Sequence, residues 1–301
     1  MITVMGEALI DIIVDPQGEV TSVVGGAPLN TARTIARLGE SASFLGGVST
    51  DAFGQRILRM LTGDGVTLAL GRQVPEPSTL AIAQIDASGA ATYRFMLEGT
   101  SAAAITPEMA LDCVGADVSV IHVGTLGLVL EPLASASAAL VTAAREDQIV
   151  MVDPNCRPSV MTSSEVFDRT LASVFTRADV IKVSGDDLAF MFPGERPATA
   201  AEQIHMRTGA TVLFTDAADA VRVVCTGGSN VLSVPPVSVV DTVGAGDSFS
   251  GGFLVHWVQN GWTRADLTDL DKVSAAAEFG IRVAGITCQR AGAEPPFAHE
   301  L

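Results

Sequence analysis

The sequence predicts an α/β fold in which helices cover a largely parallel sheet, and three observations carry that reading. Apolar runs of strand length recur at 2–6, 43–47, 118–123, 149–153, 179–183 and 211–214. The segments between them space their apolar residues three and four apart, as helices do. At 301 residues the chain is long enough for one large α/β unit with a substantial core, and no repeat or low-complexity tract interrupts it. Strands alternating with helical stretches make a parallel sheet with helices on its faces.

The elements follow in order. "MITVMGEALIDIIVD" reads as the opening strand, with Asp11 towards its carboxyl end. It lacks the basic segment of a secretory leader, so no cleaved leader is expected. In "APLNTARTIARLG", Pro28 stands where a first-turn proline belongs and Gly39 where a helix ends. Asp51 is placed to cap a helix whose Ile57, Leu58 and Leu61 share a face. Ser164 precedes "EVFDRTLASVF", and Ser184 precedes "GDDLAFMF". Residues 12–24 and 74–98 break the rhythm: they read as short strands joined by turns at Pro16–Gly18 and Asp86–Gly89, pairing in a small sheet outside the main one. Residues 220–225 and 230–234, joined by "TGGSN", read as a further hairpin.

Composition narrows the function classes. Hydrophobic residues make up 48%, yet no uninterrupted apolar run approaches the roughly 20 residues that span a bilayer, so a soluble protein with no membrane partner is expected. A net charge of -16 would repel phosphate backbones, which argues against nucleic acid as a partner. Cys113, Cys156, Cys225 and Cys288 form no metal-spaced cluster and read as thiols of a reducing cytoplasm. His122, His205, His256 and His299 lack zinc-enzyme spacing, and His122, on an apolar strand, reads as a satisfied core histidine. Neither a Walker A sequence nor a G-x-S-x-G elbow occurs.

Four stretches carry candidate chemistry. In "VVDTVGAGDSFSGGFL" the backbone turns at Gly244 and Gly246, and Phe249, Phe253 and Trp257 follow at helical spacing, so a helix starts near residue 245. Its first amides have no partner within the helix and, with the helix dipole, suit an anion. Asp247 in that first turn is either an ordinary capping acid or a group facing whatever the amides hold, and the second reading points to phosphoryl transfer with a general base. In "GGAPLN", Gly25 and Gly26 either make a plain turn or bring backbone to a ligand beside Asn30. Asp11, a charge inside "ALIDIIV", favours a sugar-hydroxyl acceptor over a structural role. In "VDPNCRP", Asn155 and Arg157 are placed to reach one ligand edge, with a surface salt bridge as the alternative for Arg157. In "IKVSGDDLAF", Ser184 and Asp187 suit a hydrated Mg²⁺ held at second hand, and helix capping explains them equally well.

"GGAPLNTARTIARLGESASFLGGVSTDAFG" together with "DTVGAGDSFSGGFL" resembles the two signatures of the PfkB sugar-kinase family, also called ribokinase-like, and the likeness runs from "GEALIDI" to "CQRAGAEPP". The resemblance implies a three-layer α/β/α sandwich, a single domain over 1–301, with a small β-sheet lid. It implies Asp247 as catalytic base, Gly244, Ala245 and Gly246 as an anion hole, and Asp11, Gly25, Gly26 and Asn30 as sugar contacts. Asn155 and Arg157 fit a D-x-N-x-R element near substrate and phosphates. Asp241 lies where the family often binds a monovalent cation such as K⁺. The family's N-x-x-E motif stands here as Ser184 to Asp187, with a shorter acid for the Mg²⁺-linked role. Along the nucleotide, T-x-G-x-x-G becomes Thr215-Asp216-Ala217-Ala218-Asp219-Ala220, two glycines having become alanines, and no asparagine stands near Gly280 to Arg282 for the adenine. ATP, Mg²⁺, a small sugar and a homodimer paired through the lid are implied, in the cytoplasm. Tyr93 and Arg94 are lid candidates for substrate contact, with an exposed strand as the alternative. "GEALIDI", "GGAPLN", "DPNCR" and "RAGAEPP" most resemble fructokinases, which implies D-fructose phosphorylated at its 6-hydroxyl. The alternatives are a 2-keto-3-deoxygluconate kinase, a ribokinase, a nucleoside kinase or a non-catalytic sugar- or nucleotide-binding relative.

Overall fold

The computed structural model describes residues 1–86, 91–160 and 164–301. The strands are β1 (Ile2–Met5), β2 (Leu9–Val14), β3 (Val20–Gly25), β4 (Ala42–Leu45), β5 (Thr67–Leu68), β6 (Thr79–Ile85), β7 (Ala91–Met96), β8 (Val120–Gly124), β9 (Ile149–Asp153), β10 (Val180–Ser184), β11 (Thr211–Asp216), β12 (Ala220–Cys225) and β13 (Gly228–Ser233). The α-helices are α1 (Ala27–Arg37), α2 (Ala52–Gly63), α3 (Pro107–Asp112), α4 (Leu133–Thr142), α5 (Ser164–Phe175), α6 (Gly185–Met191), α7 (Pro197–Thr208), α8 (Ala245–Gln259) and α9 (Leu270–Thr287).

Nine strands form the main sheet, ordered β13-β12-β11-β10-β9-β8-β1-β4-β5. It is parallel from β11 to β5, and the β12–β13 hairpin closes one edge antiparallel. "VIHVG" in β8 and "IVMVD" in β9 are buried at every residue. That follows from helices on both faces, which remove the in-out alternation of a half-wet sheet. One face packs on α1, α2, α8 and α9 through residues such as Leu29, Ile57, Phe253 and Val273. The other packs on α3, α4, α5 and α7 through Ala110, Leu133, Phe167 and Ile204. These three layers are the sandwich expected from the sequence.

The two helix-free stretches form a separate four-stranded sheet, ordered β3-β2-β6-β7. The chain reaches it sooner than the sequence suggests. β1 stops at Met5, Gly6 turns at φ 153°, and β2 begins in the small sheet at Leu9. Asp11 is therefore the third residue of a small-sheet strand, not the carboxyl end of the first main-sheet strand. The turn after β2 is closed by Asp15, whose carbonyl accepts from the Gly18 amide and whose Oδ1 accepts from the Gln17 and Glu19 amides. The expected Asp86–Gly89 turn lies outside the described residues beyond Asp86, as does the Ser164 side chain. The late hairpin turns at Thr226-Gly227, and its second strand begins at Gly228, two residues earlier than expected.

Helix caps follow the local sequence closely. Asp51 Oδ1 accepts from the Gly54 amide at 2.8 Å and starts α2. Gly251 seats α8 against α1, because a Cβ there would lie 2.7 Å from Thr34 side-chain atoms. This close approach brings the start of α8 onto Asn30 of α1.

Candidate active site

The carboxyl ends of β1, β8, β9, β10 and β11 converge with the N-termini of α1 and α8, the place where open α/β sheets bind ligands. Gly244 is the N-cap of α8, at φ 77°, and no side chain caps the helix. Helical bonding begins with the Ser248 amide, which donates to Gly244 O at 2.8 Å. The Ala245 amide donates to Thr242 O at 3.2 Å, while those of Gly246 and Asp247 meet no acceptor among the described residues. A helix start that leaves amides open suits an anion. The resemblance implied three residues here, and the geometry engages the amide of the middle one, Ala245, with Thr242 O.

Asp247 is not the capping acid. Its Oδ2 accepts from Asn30 Nδ2 at 2.9 Å, and the carboxyl is 8% exposed. Burial raises its pKa; the Asn30 bond opposes this, Asp153 adds to it, Lys182 and Arg157 oppose it, and the result is about 6. A carboxylate tuned in this way suits a base near neutral pH. Asn30 Oδ1 is buried and has no partner among the described residues. An orphaned buried carbonyl beside the carboxylate asks for a donor, which a ligand hydroxyl would supply.

Three charged residues passed over in the sequence complete the floor. Glu7 is 1% exposed, and its carboxyl takes the Leu126 amide at 3.2 Å together with the Ala27 amide that opens α1. Burial, opposed in part by those amides and aided by Asp247, lifts its pKa to about 8. Lys182 of β10 and Asp153 of β9 form an ion pair at 3.1 Å, each side chain about 5% exposed. The available signal was charge inside buried strands, "VIKVS" and "IVMVD", which is costly unless paired. His122 is in the core but not satisfied: both ring nitrogens are buried without partners among the described residues. Burial, reinforced by Lys182, drives its pKa to about 3 and keeps it neutral.

The remaining candidates fall in three groups. Asp11 packs against Gly25, where a Cβ would overlap its Oδ2, and burial raises its pKa. Gly26, at φ 118°, leaves no room for a side chain, since a Cβ would lie 2.6 Å from Glu7 O. Tyr93 stands 56% exposed and stacked on Phe95, whose partner Ala81 also pairs with Asp11. The pleat puts Tyr93 on the Asp11 face and its neighbour Arg94 on the opposite one.

A second group surrounds β9 and β10. Asn155, left-handed at φ 39°, donates from Nδ2 to Thr125 Oγ1 at 3.1 Å. Arg157 is exposed, and its Nη1 donates to Cys156 O at 3.2 Å. Ser184 and Asp187 form a capping box for α6. Asp187 Oδ1 also accepts from the Cys156 amide at 2.6 Å, and its Oδ2 takes both the Ser184 amide and hydroxyl. With its oxygens so occupied, Asp187 does not fit direct metal ligation. No group of three or more His, Cys, Asp or Glu able to hold a metal occurs among the described residues.

The third group lies at the sheet edge and the C-terminal segment. Asp241 Oδ1 accepts from the Val243 amide and Oδ2 from the Gly292 amide, bonds that hold its carboxyl below the usual range against partial burial. Thr215 donates to Val183 O at 3.4 Å. Ala217 follows in the left-handed region at φ 46°, where a Cβ costs about 1–2 kcal/mol. Ala217→Gly is expected to stabilise the protein by about 1 kcal/mol in urea unfolding, and no change would remove the strain reading.

A cleft of about 730 Å³ between α5, α6 and α7, lined by Phe167, Leu171, Phe190 and Ile204 among others, lies on the far face of the sheet from α8 and holds none of this chemistry.

The model of the pfkB family carbohydrate kinases matches residues 1–300. The chain belongs to this family. As a pfkB kinase it is 31% identical over 278 residues to a fructokinase of Rhizobium leguminosarum bv. trifolii, covering 90% of this chain and 84% of that protein. It is 29% identical to a fructokinase of Klebsiella pneumoniae over 86% and 85% of the two chains. Among solved structures, the fructokinase of Xylella fastidiosa with bound ATP superposes with a TM-score of 0.86 at 26% identity, covering 97% and 93% of the chains. The aminoimidazole riboside kinase of Salmonella enterica shares the fold, with a TM-score of 0.83 at 22% identity over 99% and 97%.

Proposed function

We propose that this pfkB kinase transfers the γ-phosphate of ATP to the 6-hydroxyl of D-fructose, with Asp247 as base. The observation that carries the reading is the Asn30–Asp247 couple, with an orphaned Asn30 Oδ1, directly beside open amides at the start of α8. The sugar hydroxyl would donate to Asp247 Oδ1 and lose its proton to that carboxylate as its oxygen bonds to phosphorus and the bond to ADP breaks. Charge on the phosphoryl oxygens would meet the Gly246 and Asp247 amides, with the Gly244 turn shaping the hole. Asp11, the Gly25-Gly26 backbone and Asn30 would hold the sugar, Tyr93 would cover it, and Arg94, on the other face, would enter only if the sheet closes differently. Asn155 and Arg157 would flank the phosphates, and Ser184 and Thr215 the nucleotide.

The choice of fructose is supported by fructokinase relatives near 30% identity over most of the chain. Mg²⁺ enters with ATP as its metal complex, since Asp187 is occupied by the Cys156 and Ser184 amides and the Ser184 hydroxyl. A Vibrio cholerae fructokinase structure contains fructose, ADP and a potassium ion, and here Asp241 is the proposed K⁺ contact. The small sheet exposes Val20, Val23, Tyr93 and Met96, which supports pairing with a second copy into a homodimer. No described helix is long and apolar enough to cross a membrane, and a cytoplasmic kinase of a small sugar is the reading that fits.

ADP release measured with MgATP and a panel of fructose, ribose, 2-keto-3-deoxygluconate and nucleosides tests the substrate. Fructose should give the highest kcat/KM, and release with none of them would mark a binding protein. The acid limb of kcat/KM should lie near pH 6, because the base works ionised and its pKa is about 6. Activity should rise through that limb towards neutrality, and a flat profile from pH 5 to 7 would remove Asp247 as the titrating group.

A further inference from the structure

Lys182 sits in β10 between β9 and β11, in the interior of the sheet, with its ammonium almost wholly buried. A buried ion pair is seldom retained for stability, because apolar residues of similar volume serve as well or better. The ammonium points to the start of α8: a Cβ on Gly246 would lie 3.0 Å from Lys182 Nζ. Glycine at 246 thus lets a cation rest against the underside of the turn whose amides face the anion. On its other side, Nζ meets Asp153 Oδ2 at 3.1 Å, while Asp153 Oδ1 is buried without a partner among the described residues. Asp153 ends β9 two residues before Asn155, so the pair links the phosphate-flanking loop to the start of α8.

We propose that Lys182 is a positioning residue whose buried ammonium, tied to Asp153, presents a positive charge to the underside of the Gly244–Gly246 turn and to Asp247. The proposal rests on Asp247 being the base.

The groups around Asp247 make the consequence definite. Asp153 faces it from β9, Lys182 from β10, Glu7 from the β1–β2 link, Arg157 from the loop after β9, and Asn30 donates from α1. His122 of β8, beside Lys182, is neutral. Of the two cations, Arg157 is exposed and screened by water, whereas Lys182 is buried, where charge acts at lower dielectric. Burial opposes the charge on Lys182, but Asp153, Asp187 and Asp247 together hold the ammonium protonated. Without it, two buried carboxylates would face each other, and Asp247 would retain its proton at pH values where the reaction needs it ionised.

The test is the pH dependence of kcat/KM for ADP release in Lys182→Met, Asp153→Asn and the double variant, each checked for folding by circular dichroism. Lys182→Met should move the acid limb upward by at least about one pH unit, with about fivefold or greater loss at pH 6 and recovery at alkaline pH. Asp153→Asn removes the opposing charge and should move the limb down. The double variant should return towards the wild-type limb. If Lys182→Met does not fold, Asp153→Asn decides alone, and an unmoved limb overturns the proposal. A pH-independent fall in Lys182→Met, with the limb in place, shows a merely structural lysine and also overturns it. The parent reading fails separately: an Asp247→Asn variant that keeps its activity removes the base, whereas an inactive one with an unmoved Lys182→Met limb removes only this proposal.

Discussion

Asp247→Asn is expected to lower kcat by about 10²–10⁴-fold, the range for loss of a general base, while the KM for the sugar changes little. The substitution is close to isosteric, so packing at the 8% exposed site is preserved. The side-chain oxygen can still accept from Asn30 Nδ2, keeping α1 and α8 in register. What is lost is the group proposed to take the proton. The amide also ends the buried carboxylate's electrostatic cost, so the variant should be as stable as the parent or slightly more so. Turnover with thermal stability measured on the same samples checks both halves. A variant retaining most of its activity would assign the base elsewhere.

Gly244→Ala has the second largest expected effect, for a different reason. Gly244 adopts φ 77°, which costs a residue with a Cβ about 1–2 kcal/mol. The added Cβ would also lie 2.5 Å from Ala293 Cβ and 3.0 Å from Ala293 Cα. That C-terminal segment cannot readily retreat, because Arg33 donates to Ala293 O at 2.9 Å and pairs with Glu294. The turn must move instead, carrying the open amides with it. Loss of one well-aimed donor at such a hole costs about 10²–10³ in kcat, and a similar fall is expected here. Adding Ala293→Gly should recover part of it by removing the facing methyl, though not the backbone strain. Wild-type turnover in the single variant would show that the turn does not set the amide geometry.

Much of this architecture was legible in the residues, where local rules decide. Asp51, Ser184 with Asp187, and the start of α8 at Ala245 follow from capping chemistry and glycine placement that involve only a few neighbours in sequence. The pairing of Asp247 with Asn30 spans 217 residues, yet each residue stood out in its own motif. What was not legible depended on neighbours distant in the chain. Lys182 and Asp153 stand out only once β9 and β10 are set side by side. Glu7 gained meaning only once the amides of Leu126 and Ala27 met at its carboxyl. Asp11 changed sheets because Gly6 and Glu7 break one apolar run into two strands, a break that composition hides. His122 lacks the partner that a buried histidine ordinarily finds, and that too depends on which side chains face it from other strands.

The most direct measurement is identification of the product formed from MgATP and D-fructose by phosphorus–proton correlation spectroscopy. Transfer through the Asp247 and α8 site predicts one sugar phosphate, with its phosphorus coupled to the protons on carbon 6 and formed in equal amount to ADP. ADP accumulating without any phosphorylated sugar, or no turnover with any sugar offered, would contradict it.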